Sequence, residues 1–379
     1  MPRTRLHELA DLGQSIWLDF INRDLLTTGK LQKWIDDGLR GMTSNPSIFN
    51  QVISQGTDYD AAILKLKEQG KSTFEIYDEL TIKDIQDATD FFKPVYEKTD
   101  RLDGYVSLEI NPQLAHDTEA SIKEGRRLFK KVGRPNVMIK VPATDEGFPV
   151  IEELLAEGIN VNVTLIFSRL QYERTVEAYL RGLERLSQIR HDLSDVRSVA
   201  SVFVSRIDTS IDHTLRQKLT VAKSAEEKES LNQLLGKAAV ANSTWIYTIA
   251  QDLFASERFQ ELVEKGAAVQ RVLWGSTSTK DPQYRDVKYV EEMIARDTVN
   301  TVPEKTLKAF MDHGIVQETL RNDTTDAQHV FNQLAHFQIN IDAVCLQLLK
   351  DGVLAFDKSF EELTRSIEDK AQKLCGQAR

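Results

Sequence analysis

The 379-residue sequence predicts a closed (β/α)8 barrel, a TIM barrel, with additional helices and a helical C-terminal tail. Two observations point there. Eight short runs rich in strand-forming residues recur along the chain, and amphipathic helical stretches such as "LAHDTEASIKEGRRLFKKV" and "SRLQYERTVEAYLRGLERL" lie between most of them. Strands alternating with helices build parallel βαβ units, and eight such units close into a barrel of about 250 residues before insertions.

In order, the runs are "SIWLDF" (15–20), "GMTSNPSIF" (41–49), "GYVSLEI" (104–110), "NVMIKVPA" (136–143), "INVNVTLIF" (159–167), "VASVFVSRI" (199–207), "VQRVLWGST" (269–277) and, weakest, "DTVNTV" (297–302). The surplus residues have definite places. The stretch 50–103 holds more than one helix, 208–268 holds at least two, and the chain from about 304 is helical. No Pro/Gly/Ser-rich linker separates a second domain, so residues 1–379 are expected to form a single elaborated barrel. The alternative is an open doubly wound sheet. It would be supported by a glycine-rich phosphate turn after the first strand, and "SIWLDFINRDLL" has none.

Apolar residues make up 41% of the chain, enough for a large core, and the formal net charge of −10 argues against non-specific nucleic-acid binding. One basic cluster, "GRRLFKKVGRP" (125–135), reads as the solvated end of a helix, where cations suit the dipole. The two cysteines, Cys345 and Cys375, have no metal-ligand spacing, which fits a reducing, cytoplasmic setting. The N-terminal stretch is charged and lacks an apolar signal core, and no apolar run approaches the ~18 residues of a membrane span.

Barrel strands alternate inward and outward side chains. In "VMIKVPA", Val137, Ile139 and Val141 share the outer face, and Met138, Lys140 and Pro142 the inner. The same alternation turns Trp17 and Asp19, Ser107 and Glu109, Ser201 and Phe203 inward, together with Asn162, Thr164 and Ile166. Thr43 and Asn45 share a face, as do Trp274 and Ser276. Each residue also has an ordinary reading. Lys140 can be a strand-end lysine whose head reaches water. Asp19 can cap a helix, the turn from Asn45 can be an N-cap, and Thr164 can simply fill a strand. Together, however, they send polar groups late in several strands toward one interior, near the C-terminal mouth where barrel active sites lie.

The chemistry follows from that inventory. None of the seven histidines falls inside a strand run, and no cysteine does. Zinc and non-haem iron sites usually need those ligands, and a lysine between two carboxylates repels Mg²⁺, so no metal is expected. A lysine in a partly apolar cavity loses proton affinity, and its free amine attacks a carbonyl to form a Schiff base. Neighbouring carboxylates supply acid and base, while asparagines and threonines orient hydroxyls and a water. The set points to a carbonyl substrate and C–C bond making or breaking through an enamine.

The motifs "GMTSNPSIF", "MIKVPAT", "GINVNVTLIFS", "SVFVSRID" and "WGSTSTK" resemble those of the transaldolase family, over essentially the whole chain. The length and the "WLDFINRDLL" start resemble its long bacterial branch. The resemblance implies that Lys140 is the Schiff-base lysine and that Asp19 is the acid/base at the C3–C4 bond of the donor sugar. It implies that Glu109, with Thr164, holds the catalytic water. Asn45 and Asn162 would bind hydroxyls, Ser201 and Phe203 would line the pocket, and Arg206 would bind phosphate. Members move a dihydroxyacetone unit between phosphorylated sugars without a cofactor, so the implied partners are phosphorylated sugars, with the chain a monomer or homodimer. One motif departs. Many members carry a serine and an arginine for phosphate after the seventh strand; here Ser276 keeps the serine and no arginine follows. Lys280 is the nearest cation, and either replaces it as a point charge or is a solvated loop residue. The nearest rival is a fructose-6-phosphate aldolase on the same scaffold, whose members tend to carry tyrosine where Phe203 stands. A non-catalytic barrel would not need Lys140, Asp19 and Glu109 together.

Overall fold

Short apolar, β-branched segments form eight parallel strands: β1 (Gln14–Asp19), β2 (Gly41–Thr43), β3 (Val106–Glu109), β4 (Val137–Pro142), β5 (Val161–Ile166), β6 (Ser198–Phe203), β7 (Arg271–Gly275) and β8 (Thr298–Val302). They come from a computed structural model that describes residues 3–377; the outermost ends of the expected domain, residues 1–2 and 378–379, lie outside the described residues. Each strand pairs with the next in sequence, and β8 pairs back onto β1 with Gln14 opposite Thr298, so the sheet closes. Closure removes the sheet edges that an open doubly wound sheet would keep.

The extra helices fall in the stretches the sequence marks. Between β2 and β3 lie helices Pro46–Gln55, Asp60–Glu68 and Thr73–Lys98, the last opened by a Ser72/Glu75 capping box. Between β6 and β7 lie Ser205–Val221, Ala225–Leu234, Ala238–Phe254 and Glu257–Val263. After β8 come Glu304–His313, Thr325–His336 and the 37-residue helix Ile341–Gln377, with a non-helical stretch over residues 314–324. That last helix returns across the barrel to pack on Pro46–Gln55. There Ser47 Oγ donates to Ser359 Oγ at 2.7 Å, and Ser366 Oγ to Asn50 Oδ1 at 3.1 Å.

Inside the barrel, Trp17, Met138, Val199, Leu273 and Val299 form an apolar plug. Gly41 makes room for it, since a Cβ there would come 2.6 Å from the Trp17 indole. Outward-facing residues such as Ile16, Ile139 and Val202 join the larger core beneath the helices.

Several expectations need correction. "GMTSNPSIF" is a strand only to Thr43, because Asn45 Oδ1 accepts from Ile48 N at 3.0 Å and Pro46 opens a helix. "VASVFVSRI" likewise ends as a strand at Phe203, with a helix from Ser205. Trp274 does not share the inner face with Ser276: Leu273 belongs to the inner plug and Trp274 to the outer core, and Ser276 turns toward the mouth through a left-handed φ of 54°. Ile166 leaves the inner face too, because Leu165 has φ 60° and the register shifts there, pairing Ile166 with the outward Val202. The basic cluster does end a helix, Thr118–Val132, but it is not simply solvated. Arg127 donates to both Asp78 oxygens at 2.9 and 2.7 Å, and Lys131 to Asp78 at 2.6 Å.

Both cysteines are free; Cys345 is buried in the tail helix. Among the described residues no helix is long and apolar enough to cross a membrane.

Candidate active site

Parallel register sets the site. Glu109 of β3, Lys140 of β4 and Asn162 of β5 are direct neighbours across the sheet, and so are Asp19 of β1 and Thr43 of β2. All five lie on the inner face. A cavity of about 190 Å³ opens at the mouth, and Lys140, Asp19, Thr164, Ser201, Phe203 and Asn45 line it. So do Arg206, Ser276 and Lys280. Nine of the eleven residues singled out from sequence therefore share one cavity. Glu109 and Asn162 sit directly behind its wall. A wider groove of about 1200 Å³ lies outside the barrel along the tail helix, but the barrel mouth is where strand ends converge side chains.

Lys140 is 5% exposed. Its Nζ donates to the Ser44 carbonyl at 3.2 Å and stands 3.4 Å from Glu109 Oε2, an ion pair at loose range. Glu109 Oε2 is buried with no hydrogen-bond donor, and Thr164 Oγ1 is buried without a partner too. Burial pushes the Glu109 carboxyl up from its ordinary range, and the Lys140 charge opposes the shift. Asn162 is fully buried: it donates from Nδ2 to Ser107 Oγ at 2.9 Å and accepts from Ser201 Oγ at 2.6 Å. It braces the floor beside Lys140.

Asp19 keeps part of its surface open to the cavity but lies deep in the mouth, and burial pushes its carboxyl up, against the Lys140 charge and a hydrogen bond from Thr43. Thr43 Oγ1 donates to Asp19 Oδ1 at 2.8 Å. Its one proton is thereby used, so at the 2.7 Å contact with Thr301 Oγ1 it is Thr301 that donates. This relay fixes the carboxylate's orientation.

Two cations mark the other side. Arg206, in the first turn of helix Ser205–Val221, lies over the Phe203 ring at 5.1 Å. Among the described residues no carboxylate comes within salt-bridge reach of it; burial lowers its proton affinity, and Asp19 acts on it only from a distance. Lys280 sits at the rim, donating to Ser278 Oγ at 2.7 Å, with its ammonium destabilised by burial and by nearby Arg206. Ser276 Oγ and Ser205 Oγ are 3.1 Å apart beside them.

Sequence reading missed Thr301, Ser278 and Phe356, which also line the cavity. Thr301 was within reach, since it alternates inward in the weakest run. Phe356 was not, because it belongs to the tail helix, whose periodicity does not say what it covers. Its ring lies 5.8 Å from Lys140 Nζ. Among the described residues no group of three or more His, Cys, Asp or Glu side chains is placed to hold a metal.

The fold and the site together define a barrel enzyme built around a buried lysine. The family model described as Transaldolase/Fructose-6-phosphate aldolase matches residues 16–367, and the chain belongs to that family. It is 45% identical over 378 residues to Transaldolase 2 of Nostoc punctiforme, covering 99% of both chains. It is 44% identical over 377 residues to the transaldolase of Trichodesmium erythraeum, again over 99% of both. The transaldolase of Saccharopolyspora erythraea is 44% identical over 368 residues, 97% of each chain.

Proposed function

We propose that this chain is a transaldolase, moving a dihydroxyacetone unit from sedoheptulose 7-phosphate or fructose 6-phosphate to glyceraldehyde 3-phosphate or erythrose 4-phosphate. The observation that carries the reading is one cavity lined by a buried amine, a carboxyl set deep beside it and two cations without carboxylate partners among the described residues.

Lys140 Nζ attacks the ketose carbonyl, and water leaves as the Schiff base forms. Asp19 takes the proton of the C4 hydroxyl as the C3–C4 bond breaks and returns it to the acceptor's oxygen when the new bond forms. A carboxyl whose affinity for protons is raised by burial suits both directions. Glu109 and Thr164, left with unmet hydrogen-bonding capacity, hold the water that enters and leaves with the C–N bond. Asn45, whose Oδ1 caps a helix, keeps its amide group for a sugar hydroxyl, while Asn162 and Ser201 support the same wall. Arg206, Lys280 and Ser276 take the phosphate. The proximity of Lys280 to Arg206 supports its acting in place of the absent arginine.

This reading takes the chain as one elaborated barrel domain, a cytoplasmic monomer or homodimer that needs no cofactor. Incubation with fructose 6-phosphate and borohydride tests it. One reduced dihydroxyacetone unit should appear on Lys140 by mass spectrometry. An active enzyme whose adduct maps to another lysine, or that forms none, overturns it. Dihydroxyacetone release separates transfer from aldolase chemistry: a transferase should stall on fructose 6-phosphate alone and resume when erythrose 4-phosphate is added.

A further inference from the structure

The amine at the centre of the site has two unlike surroundings. On one side stand the Ser44 carbonyl and Glu109, at 3.2 and 3.4 Å. On the other stands the Phe356 ring, 5.8 Å away and 7% exposed, which enters the cavity from outside the barrel. It is held there by close packing of its helix. One turn earlier, a Cβ at Gly352 would come 2.9 Å from Leu165 Cδ2 and 3.7 Å from Arg206 Nη1, so the helix backbone itself lies against the β5 kink and the guanidinium. Three residues later, Ser359 is bonded to Ser47, on the helix that Asn45 caps.

We propose that Phe356 is a specificity-determining residue that keeps the reaction a transfer rather than a hydrolysis; this rests on the Schiff-base reading of Lys140. After the C3–C4 bond breaks, the enamine on Lys140 holds its electron pair at the released carbon. Addition to an acceptor aldehyde forms a C–C bond, and the aldehyde oxygen takes the proton held by Asp19. Protonation of that carbon by water gives an iminium instead. A second water then adds to C2, losing a proton to solvent, and the C–N bond breaks to return the amine and free dihydroxyacetone. The net change is enamine plus water to amine plus dihydroxyacetone. Phe356 presents only C–H groups to this region and fills space that would otherwise admit water, which takes about 30 Å³ per molecule. Its ring face also suits the cationic iminium that precedes cleavage.

The experiment measures dihydroxyacetone released per enzyme from fructose 6-phosphate alone, against transfer to erythrose 4-phosphate, in wild type, Phe356→Ala and Phe356→Leu. The ratio of release to transfer should rise by about 10-fold or more in Phe356→Ala and by less in Phe356→Leu, which keeps most of the apolar volume. Should Phe356→Ala fail to fold, the leucine variant decides alone, a raised ratio supporting the role. An unchanged ratio in folded variants of a wild type that does transfer overturns the role of Phe356 and leaves the transferase intact. A wild type that releases dihydroxyacetone as fast without acceptor as with it overturns both.

Discussion

The two ends of this barrel each bury one ion pair, and they treat it oppositely. At the N-terminal end the Arg271 and Asp103 side chains are 7% and 5% exposed; at the C-terminal mouth the Lys140 and Glu109 side chains are 6% and 6% exposed. Burial is equal, bonding is not. Arg271 donates to Asp103 Oδ1 at 2.8 Å and to Ser15 Oγ at 2.9 Å, and Ser15 donates to Asp103 Oδ2 at 2.8 Å. Every oxygen of that carboxylate is engaged. Lys140 and Glu109 meet only at 3.4 Å, and Glu109 Oε2 accepts no hydrogen bond. A buried pair is worth having for stability only when its remaining hydrogen-bonding capacity is met. The lower pair meets that condition. The upper one leaves its groups available to a substrate, and the apolar plug between them keeps the two ends separate.

The sharpest way to break the contrast is Lys140→Met. Turnover should fall to background, on the order of a million-fold for loss of a nucleophile, while the denaturation midpoint falls less than on breaking the lower pair, because Glu109, whose carboxyl burial already pushes up, takes a proton once the lysine is gone. A large fall in stability would show that the upper pair is structural after all.

Glu109→Gln should lower kcat by roughly 10²- to 10⁴-fold, the usual worth of a positioned acid–base group. Because burial raises the Glu109 pKa, its carboxylate form is lost on acidification earlier than for a surface glutamate, so wild-type activity should decline at a pH above the ordinary carboxylate range. In the glutamine variant only the part of that limb set by Asp19, likewise pushed up by burial, should remain; an unaltered limb assigns all of it to groups other than Glu109.

At the other end, Arg271→Met should do the reverse. Stranding Asp103 should cost about 3–5 kcal/mol of stability, read from the denaturant midpoint, with little change in kcat per folded molecule measured well below the midpoint. A kinetic defect with unchanged stability would erase the distinction between the two ends.

The smallest effect is expected at the phosphate side. Arg206→Ala should raise KM for phosphorylated substrates by roughly 10- to 150-fold, the loss of about 1.5–3 kcal/mol of a charge-assisted contact, and Lys280→Ala by less. Unphosphorylated analogues should be barely affected. Equal effects on both substrate types would remove phosphate from the role of either residue.

What could be read beforehand divides along the same physical line. Period-two alternation placed Asp19, Glu109, Lys140, Thr164 and Ser201 inside, because those strands are regular as far as the residues in question. It failed for Trp274 with Ser276 and for Ile166, because the backbone breaks the alternation at the left-handed residues Ser276 and Leu165. The left-handed residues themselves are a leucine and a serine, not glycines, so their own identities do not mark the kinks, although Gly275 stands beside Ser276. Asn45 was open to two readings, cap or site, and it both caps a helix and lines the cavity. Phe356 was out of reach for a different reason: helical periodicity identifies a buried face but says nothing about which distant element that face covers.

The placement of Phe356 also gives the site a direction in time. Translation proceeds from the N-terminus, and β8, which closes the barrel, is made only at residues 298–302. The ring beside Lys140 is made later still, on the helix over residues 341–377. A nascent chain therefore carries its lysine, both carboxyls and Arg206 before the chamber around them is finished. The helix that carries Phe356 completes the chamber, so a chain that stops before residue 356 lacks the ring beside Lys140 together with the core residues Phe360, Leu363 and Ile367.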